Sequence, residues 1–177
     1  VLPDVVVEHE GSAPLDGDEY VVALRATQLA ERLAWNSGDF TINALTESTT
    51  AHGIKRVYEH YRAYTFREVE LESYAGPPIW APISVAVDGS EVAVQVCLAS
   101  QDRSISESSA ETRYDLEDGR VVTWFLAVQD DGLVEVDRMA GTQDECDASA
   151  AEVLSFDPVP TPPVKITEGD IRKPAAG

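Results

Sequence analysis

Lysine is nearly absent from this chain. Three Lys and ten Arg give 13 cations against 32 Asp and Glu, a net charge of −19 over 177 residues. Phosphate backbones and anionic headgroups are held by Lys and Arg that displace counterions, so neither nucleic acid nor an anionic membrane surface is an expected partner. Long apolar runs are missing as well. No window approaches the roughly 18 uninterrupted apolar residues of a bilayer span, so membrane insertion is not expected. The opening residues VLPDVVVEHE lack the basic flank and apolar stretch of a signal peptide, and the first residue is Val rather than Met, which suits a trimmed, mature chain. The patterns GxSxG, HExxH, GxGxxG, the P-loop and the EF-hand loop do not occur, so no catalytic residue and no cofactor is expected. Metal ligands are scarce. There is no CxxC pair among two Cys, and of His9, His52 and His60 the last two, eight apart on a helix, point roughly 80° apart. No metal site is expected, and Asp16, Asp18 and Glu19 read as the acidic start of a helix.

What is present is a globular composition, 44% apolar and 25% charged. A chain of this length buries roughly 70% of the surface its unfolded form exposes, enough for one core. Residues 1–15 carry Val5, Val6 and Val7 but also Gly11, Ser12 and Pro14, and read as a linker or tether. Residues 16–150 read as a single domain. Residues 151–177, with Pro158, Pro160, Pro162 and Pro163, read as a Pro-rich tail in polyproline II conformation.

Within the domain the hydrophobic period changes once. Asp16 as N-cap with Glu19 three residues on, then Val22, Ala26, Leu29 and Leu33 at helical spacing, predicts a helix that stops at Asn36, Ser37 and Gly38. Residues 42–64 predict a short helix and then a longer one, with Ile54, Val57, Tyr58 and Tyr61 on one stripe. From residue 65 the period is two: FREVELESY alternates, and ISVAVDGSEVAVQVCLAS reads as a hairpin turning at Asp88 and Gly89. Asp118-Gly119 and Asp131-Gly132 read as two further turns of an antiparallel meander. The polar stretch 100–112 between them reads as a mobile loop or an irregular excursion. Helices first and sheet afterwards predict an α+β fold, with N-terminal helices packed on a curved antiparallel sheet.

Cys97 lies in the apolar run VAVQVCL and Cys146 in the polar stretch TQDECDAS. Two readings stand: a pair of free thiols, one buried and one exposed, or a disulfide in an exported protein that pins the end of the domain to a core strand. The disulfide is the expectation taken forward, and with it an extracytoplasmic location, secreted or anchored at the cell surface.

The order long helix, short helix, third helix, curved sheet resembles the nuclear-transport-factor-two-like, or cystatin-like, cone fold. The Val-alternating strand carrying Cys97 and Ser100, followed by a last hairpin and the closing Cys146, is similar to secreted lipoproteins of high-GC Gram-positive bacteria. The resemblance covers about residues 18–147, and Leu133 stands where that family often opens its last strand with Trp. Cone folds serve isomerases, dehydratases, cyclases, secretion-system subunits and binding modules alike, so the resemblance implies a fold and not an activity.

A cone offers a cleft. Val122, Trp124, Leu126 and Val128 share one strand face, and Val134, Val136 and Arg138 share one on the next. If these are the concave faces, Arg138 enters the cleft; at a strand end it reaches water instead. Trp35, Tyr58, Tyr61 and Trp124 are candidate cleft lining for an apolar or sugar ligand, with ordinary core as the alternative. His52 and His60 read as solvated helix residues. The expected function is an extracytoplasmic, non-enzymatic binding or scaffolding module, surface-tethered, whose partner is a protein or a small apolar ligand, and which is a monomer or dimer. The alternatives are an isomerase- or cyclase-type enzyme using Arg138 or His52 with a cleft carboxylate, and a subunit of a secretion or conjugation assembly.

Overall fold

The computed structural model of the chain describes residues 2–66, 72–106, 111–161 and 167–174. Most of the alternation in FREVELESY, the centre of the Ser-rich stretch, and Pro162 and Pro163 lie outside the described residues. The fold is α+β, as expected. Strand β1 (Asp4–His9) precedes three helices, α1 (Glu19–Ser37), α2 (Asn43–Ser48) and α3 (Ala51–Thr65). Seven strands follow: β2 (Ser73–Tyr74), β3 (Trp80–Asp88), β4 (Glu91–Asp102), β5 (Ser104–Ile105), β6 (Arg113–Val128), β7 (Val134–Cys146) and β8 (Val153–Asp157). A 3₁₀ turn at Glu168–Asp170 comes last. The main sheet is antiparallel in the order β3-β4-β6-β7, with β2-β5 and β1-β8 as separate pairs, and this arrangement is compatible with a cone.

Helix α1 starts two residues later than the spacing predicts. Asp18 is the N-cap, its Oδ1 accepting from the backbone N–H of Tyr20 at 2.9 Å, while Asp16 accepts from the N–H of Ala13 and pairs with Arg25 at 2.6 Å. The buried stripe shifts with it. Val21, Leu24 and Gln28 face inward, whereas Val22 and Ala26 are exposed. Gly38, at φ 64°, ends the helix in the left-handed conformation that favours Gly. Short α2 and longer α3 follow as predicted, α3 capped by Thr50, whose Oγ1 accepts from the N–H of Gly53 at 3.0 Å.

The core lies between α1 and the inner face of the sheet, where Val21 and Leu24 meet Val92, Val94, Val96, Val122, Trp124 and Leu126. A second cluster joins the helices around Phe40, Leu45, Trp35 and Tyr61, and Ile171 from the chain's last described segment completes it.

Of the three Asp-Gly pairs expected to turn the meander, two do, at Gly89 (φ 61°) and Gly132 (φ 83°). The third does not. Asp118 and Gly119 lie within β6, where the register against β4 jumps between Gly119↔Ala99 and Asp115↔Ser100, so the extra residues bulge instead of reversing the strand. Gly119 has another reason to be Gly. Cys97 on β4 and Cys146 at the end of β7 are joined in a disulfide, and β6 runs between those two strands. A Cβ on Gly119 would stand 2.8 Å from Cys97 Sγ and 3.1 Å from the Cys146 carbonyl oxygen. The bridge therefore passes over β6 where that strand has no side chain.

The segments read as linker and tail need correcting. Strands β1 and β8 pair with each other, with Asp4 opposite Asp157 and Val7 opposite Leu154. Strand β8 is also tied inward, the Phe156 N–H donating to the Ala75 carbonyl at 2.8 Å, and Val153 and Phe156 are fully buried. Farther on, the Arg172 backbone exchanges hydrogen bonds with Gly38 and Phe40. Proline content hid this, because the prolines fall after β8 while Val153, Leu154 and Phe156 supply an ordinary apolar strand.

Candidate functional site

A cleft of about 700 Å³ lies between α1, α3 and the inner face of the sheet. Helix α1 sends Gln28, Glu31, Arg32 and Trp35 into it, the i, i+3, i+4, i+7 spacing of one helical face. Helix α3 contributes Arg56, Val57 and His60 in the same way. The sheet supplies Leu98, Trp124, Val136 and Met139, and the turn before β3 closes one end with Gly76, Pro77 and Pro78.

Of the residues expected to line this space, Trp35 and Trp124 do. Trp35 is fixed by its Nε1–H donating to the Glu72 carbonyl at 3.1 Å and by an edge contact to Tyr61 at 4.9 Å. Trp124 packs against Trp80 at 5.5 Å, and the Trp80 Nε1–H donates to Gln28 Oε1 at 2.7 Å. Tyr58 and Tyr61 are core instead, both packed against Phe40. His60 reaches the rim beside Trp35, at 5.6 Å between rings, while His52 sits on the exposed first turn of α3 near Glu135 at 3.6 Å.

Arg138 points the other way, for a reason alternation could not show. Phe125 pairs with Arg138 but Leu126 pairs with Val136, so Asp137 is an extra residue in β7. That bulge inverts the alternation. Arg138 is carried to the outer face, where it lies 3.9 Å over the Phe125 ring and pairs with Glu91 at 2.9 Å and Asp137 at 3.0 Å. Met139, opposite Trp124, takes the inner position and lines the cleft.

Several polar groups of the cleft are engaged in holding the scaffold. Gln101 accepts from the Ile79 N–H at 3.0 Å and donates to the Ile79 carbonyl. Arg56 donates to the Val136 and Asp137 carbonyls across the bulge. Buried Arg103 donates to the carbonyls of Pro77 and Leu154 and to Ser155 Oγ, which locks the turn before β3 onto β8. Burial pushes its pKa down, as desolvation of a guanidinium must. Gly76 is what lets this crossing close. A Cβ there would stand 2.2 Å from the Leu154 carbonyl oxygen and 2.8 Å from Arg103 Nη1. Gly76→Ala is expected to lower unfolding free energy by about 3 kcal/mol, since both neighbours must move. Gly17→Ala, with nothing within 4 Å of the new methyl, should stay within about 0.5 kcal/mol, and urea titrations of both variants check the two values.

Glu31 and Arg32 are the residues that the sequence reading missed. They sit one helical step beyond Gln28 on the buried stripe, and polar residues in phase with an apolar face were the available signal; a stripe set one residue off, on Val22, hides them. Burial raises the Glu31 carboxyl above its ordinary range, with Arg32 and Arg56 pulling the other way. A carboxyl whose pKa is higher folded than unfolded binds its proton more tightly in the folded chain. Stability from this group is thus present below the unfolded pKa, about 4.3, and is lost as pH rises toward the raised value. Glu31→Gln is expected to melt above the parent at about pH 8, with the two curves converging near pH 4. Equal melting temperatures at both pH values would show that this carboxyl is not strained by burial.

Among the described residues no group of three or more His, Cys, Asp or Glu is placed to hold a metal ion, and no helix is long and apolar enough to cross a membrane. Compared with family models, curated proteins and solved structures, the chain matches none.

Proposed function

We propose that the chain is an extracytoplasmic binding module whose cleft holds one small ligand with a flat apolar body. The observation that carries this reading is the 700 Å³ cleft itself, walled by two fixed tryptophans, Trp35 and Trp124, with Val57, Leu98 and Val136 around them. Concave, mainly apolar sites of several hundred Å³ are where proteins take small molecules. The ties of Gln28, Gln101, Arg56 and Arg103 to the backbone and to Trp80 favour binding over chemistry, because they keep the walls in place. The Cys97–Cys146 disulfide supports an oxidising compartment, and with it the lipoprotein-like, surface-tethered setting that the cysteine placement suggests.

A second reading, a small-molecule isomerase or cyclase, is favoured by one observation: Glu31 offers a carboxyl of raised pKa in the cleft. Arg138 and His52, the residues first expected to serve it, lie outside the cleft. Titration with N-phenyl-1-naphthylamine, an uncharged dye that fluoresces in apolar surroundings, tests binding. Saturation at one dye per chain is expected. Met139→Asp, at a position 57% exposed and so tolerant of change, should weaken it roughly tenfold by placing a charge beside the ligand. A dye that does not bind, or that binds the variant equally well, contradicts the cleft as its site.

A further inference from the structure

We infer that the ligand is an organic anion, a carboxylate or sulfonate on a flat apolar body, and that Arg32 holds its charged group. This rests on the cleft being the binding site. Arg32 lines the cleft with its guanidinium stacked 3.6 Å from the centroid of the Tyr74 ring. The stack uses the face of the guanidinium and leaves the N–H donors on its edge available, and among the described residues none of them has a hydrogen-bond or ion-pair partner.

Among the described residues Arg113 and Arg120 also lack such a partner, but neither lines the cleft. Arg25, Arg62, Arg138 and Arg172 each pair with a carboxylate at 3.3 Å or less, and Arg56 comes within 3.8 Å of Glu135. Arg32 is held by an aromatic ring instead, so its position is set before a ligand arrives, and no described residue takes its donors. A planar fork of donors at the edge of an apolar cleft matches a planar carboxylate or the oxygens of a sulfonate. The nearest acid on the same helix, Glu31, opposes an anion only when ionised, and burial works against its ionisation. Glu72 and Asp102 also line the cleft and the chain carries −19 overall, so an anion is held there by contact with Arg32 and not by the field of the whole chain.

Two dyes separate this inference from the reading beneath it. 8-Anilinonaphthalene-1-sulfonate and N-phenyl-1-naphthylamine share one aromatic skeleton and differ by the sulfonate. The full chain is expected to bind the sulfonate about tenfold more tightly, the size of a charge-assisted hydrogen-bonded contact. Arg32→Met should remove that preference, bringing the ratio of the two affinities to about one. Arg32→Lys, which keeps the charge but loses the fork and the stack, should retain part of it. Equal affinities in the parent chain, or a preference that survives Arg32→Met, would overturn the inference while leaving the cleft as a site for neutral molecules. Binding of neither dye would remove the site itself.

Discussion

Trimmed to residues 16–150, the chain is expected to melt about 10 °C or more below the full chain, because the cut removes Phe156, whose burial alone is worth about 3–5 kcal/mol. Val153, Ala13 and Ala151 leave the core around the disulfide with it, and Ile171 leaves the helical cluster. Both strands of the β1-β8 pair go together, and the Ala75 carbonyl loses the hydrogen bond it accepts from the Phe156 N–H. A scanning-calorimetry comparison of the two chains checks this. A trimmed chain that melts within a few degrees of the parent would mean that the β1-β8 ribbon rests on an already complete domain. That outcome would restore the linker-and-tail reading of both ends.

Replacing both cysteines is expected to lower stability by roughly 4 kcal/mol, the chain-entropy value for a loop closed across a sequence separation of 49. Cys97→Ala with Cys146→Ala, unfolded in urea, gives the number directly. The same variant reveals what Gly119 is for. In the parent, Gly119→Ala places a methyl 2.8 Å from Cys97 Sγ and 3.0 Å from the Leu98 carbonyl oxygen. With the sulfurs gone only the carbonyl contacts remain, so the substitution should be less damaging in the cysteine-free background, a coupling of neighbours. Effects that simply add would show that the bridge does not rest on Gly119. Intact mass provides a preliminary check: without reductant it should be two protons lower than with it, and alkylation of the native chain should label neither sulfur.

How far the sequence could be read follows from which signals are local. The change of period near residue 65 and the helix stop at Gly38 are properties of neighbouring residues, and they gave the α+β order. The hairpins at Gly89 and Gly132 are local too, since each needs a positive φ at one position. Asp118-Gly119 carries the same two letters, yet there Gly serves a disulfide passing overhead, a contact between residues far apart in sequence. Arg138 misled for a related reason. Strict alternation puts it beside Val136, and only the pairing with β6 reveals that Asp137 is inserted. For the cleft, Trp124 was legible as a large apolar group on a strand face, and Trp35 only as a large aromatic near the end of a helix. Arg32 was not, because its role depends on Tyr74 arriving from beyond α3 to hold it.

The chain has three tryptophans, and their indole N–H signals report on the cleft one by one. Two of them, Trp35 and Trp124, line it, while Trp80 lies behind Gln28 with its indole N–H bonded to that side chain. In a proton–nitrogen correlation spectrum of the full chain, saturation with N-phenyl-1-naphthylamine should move the Trp35 and Trp124 indole peaks most. Trp80 should respond less, through its contact with Trp124. Unmoved Trp35 and Trp124 peaks, with the shifts gathered instead on the outer sheet face around Phe125 and Arg138, would contradict a ligand site between the helices and the sheet.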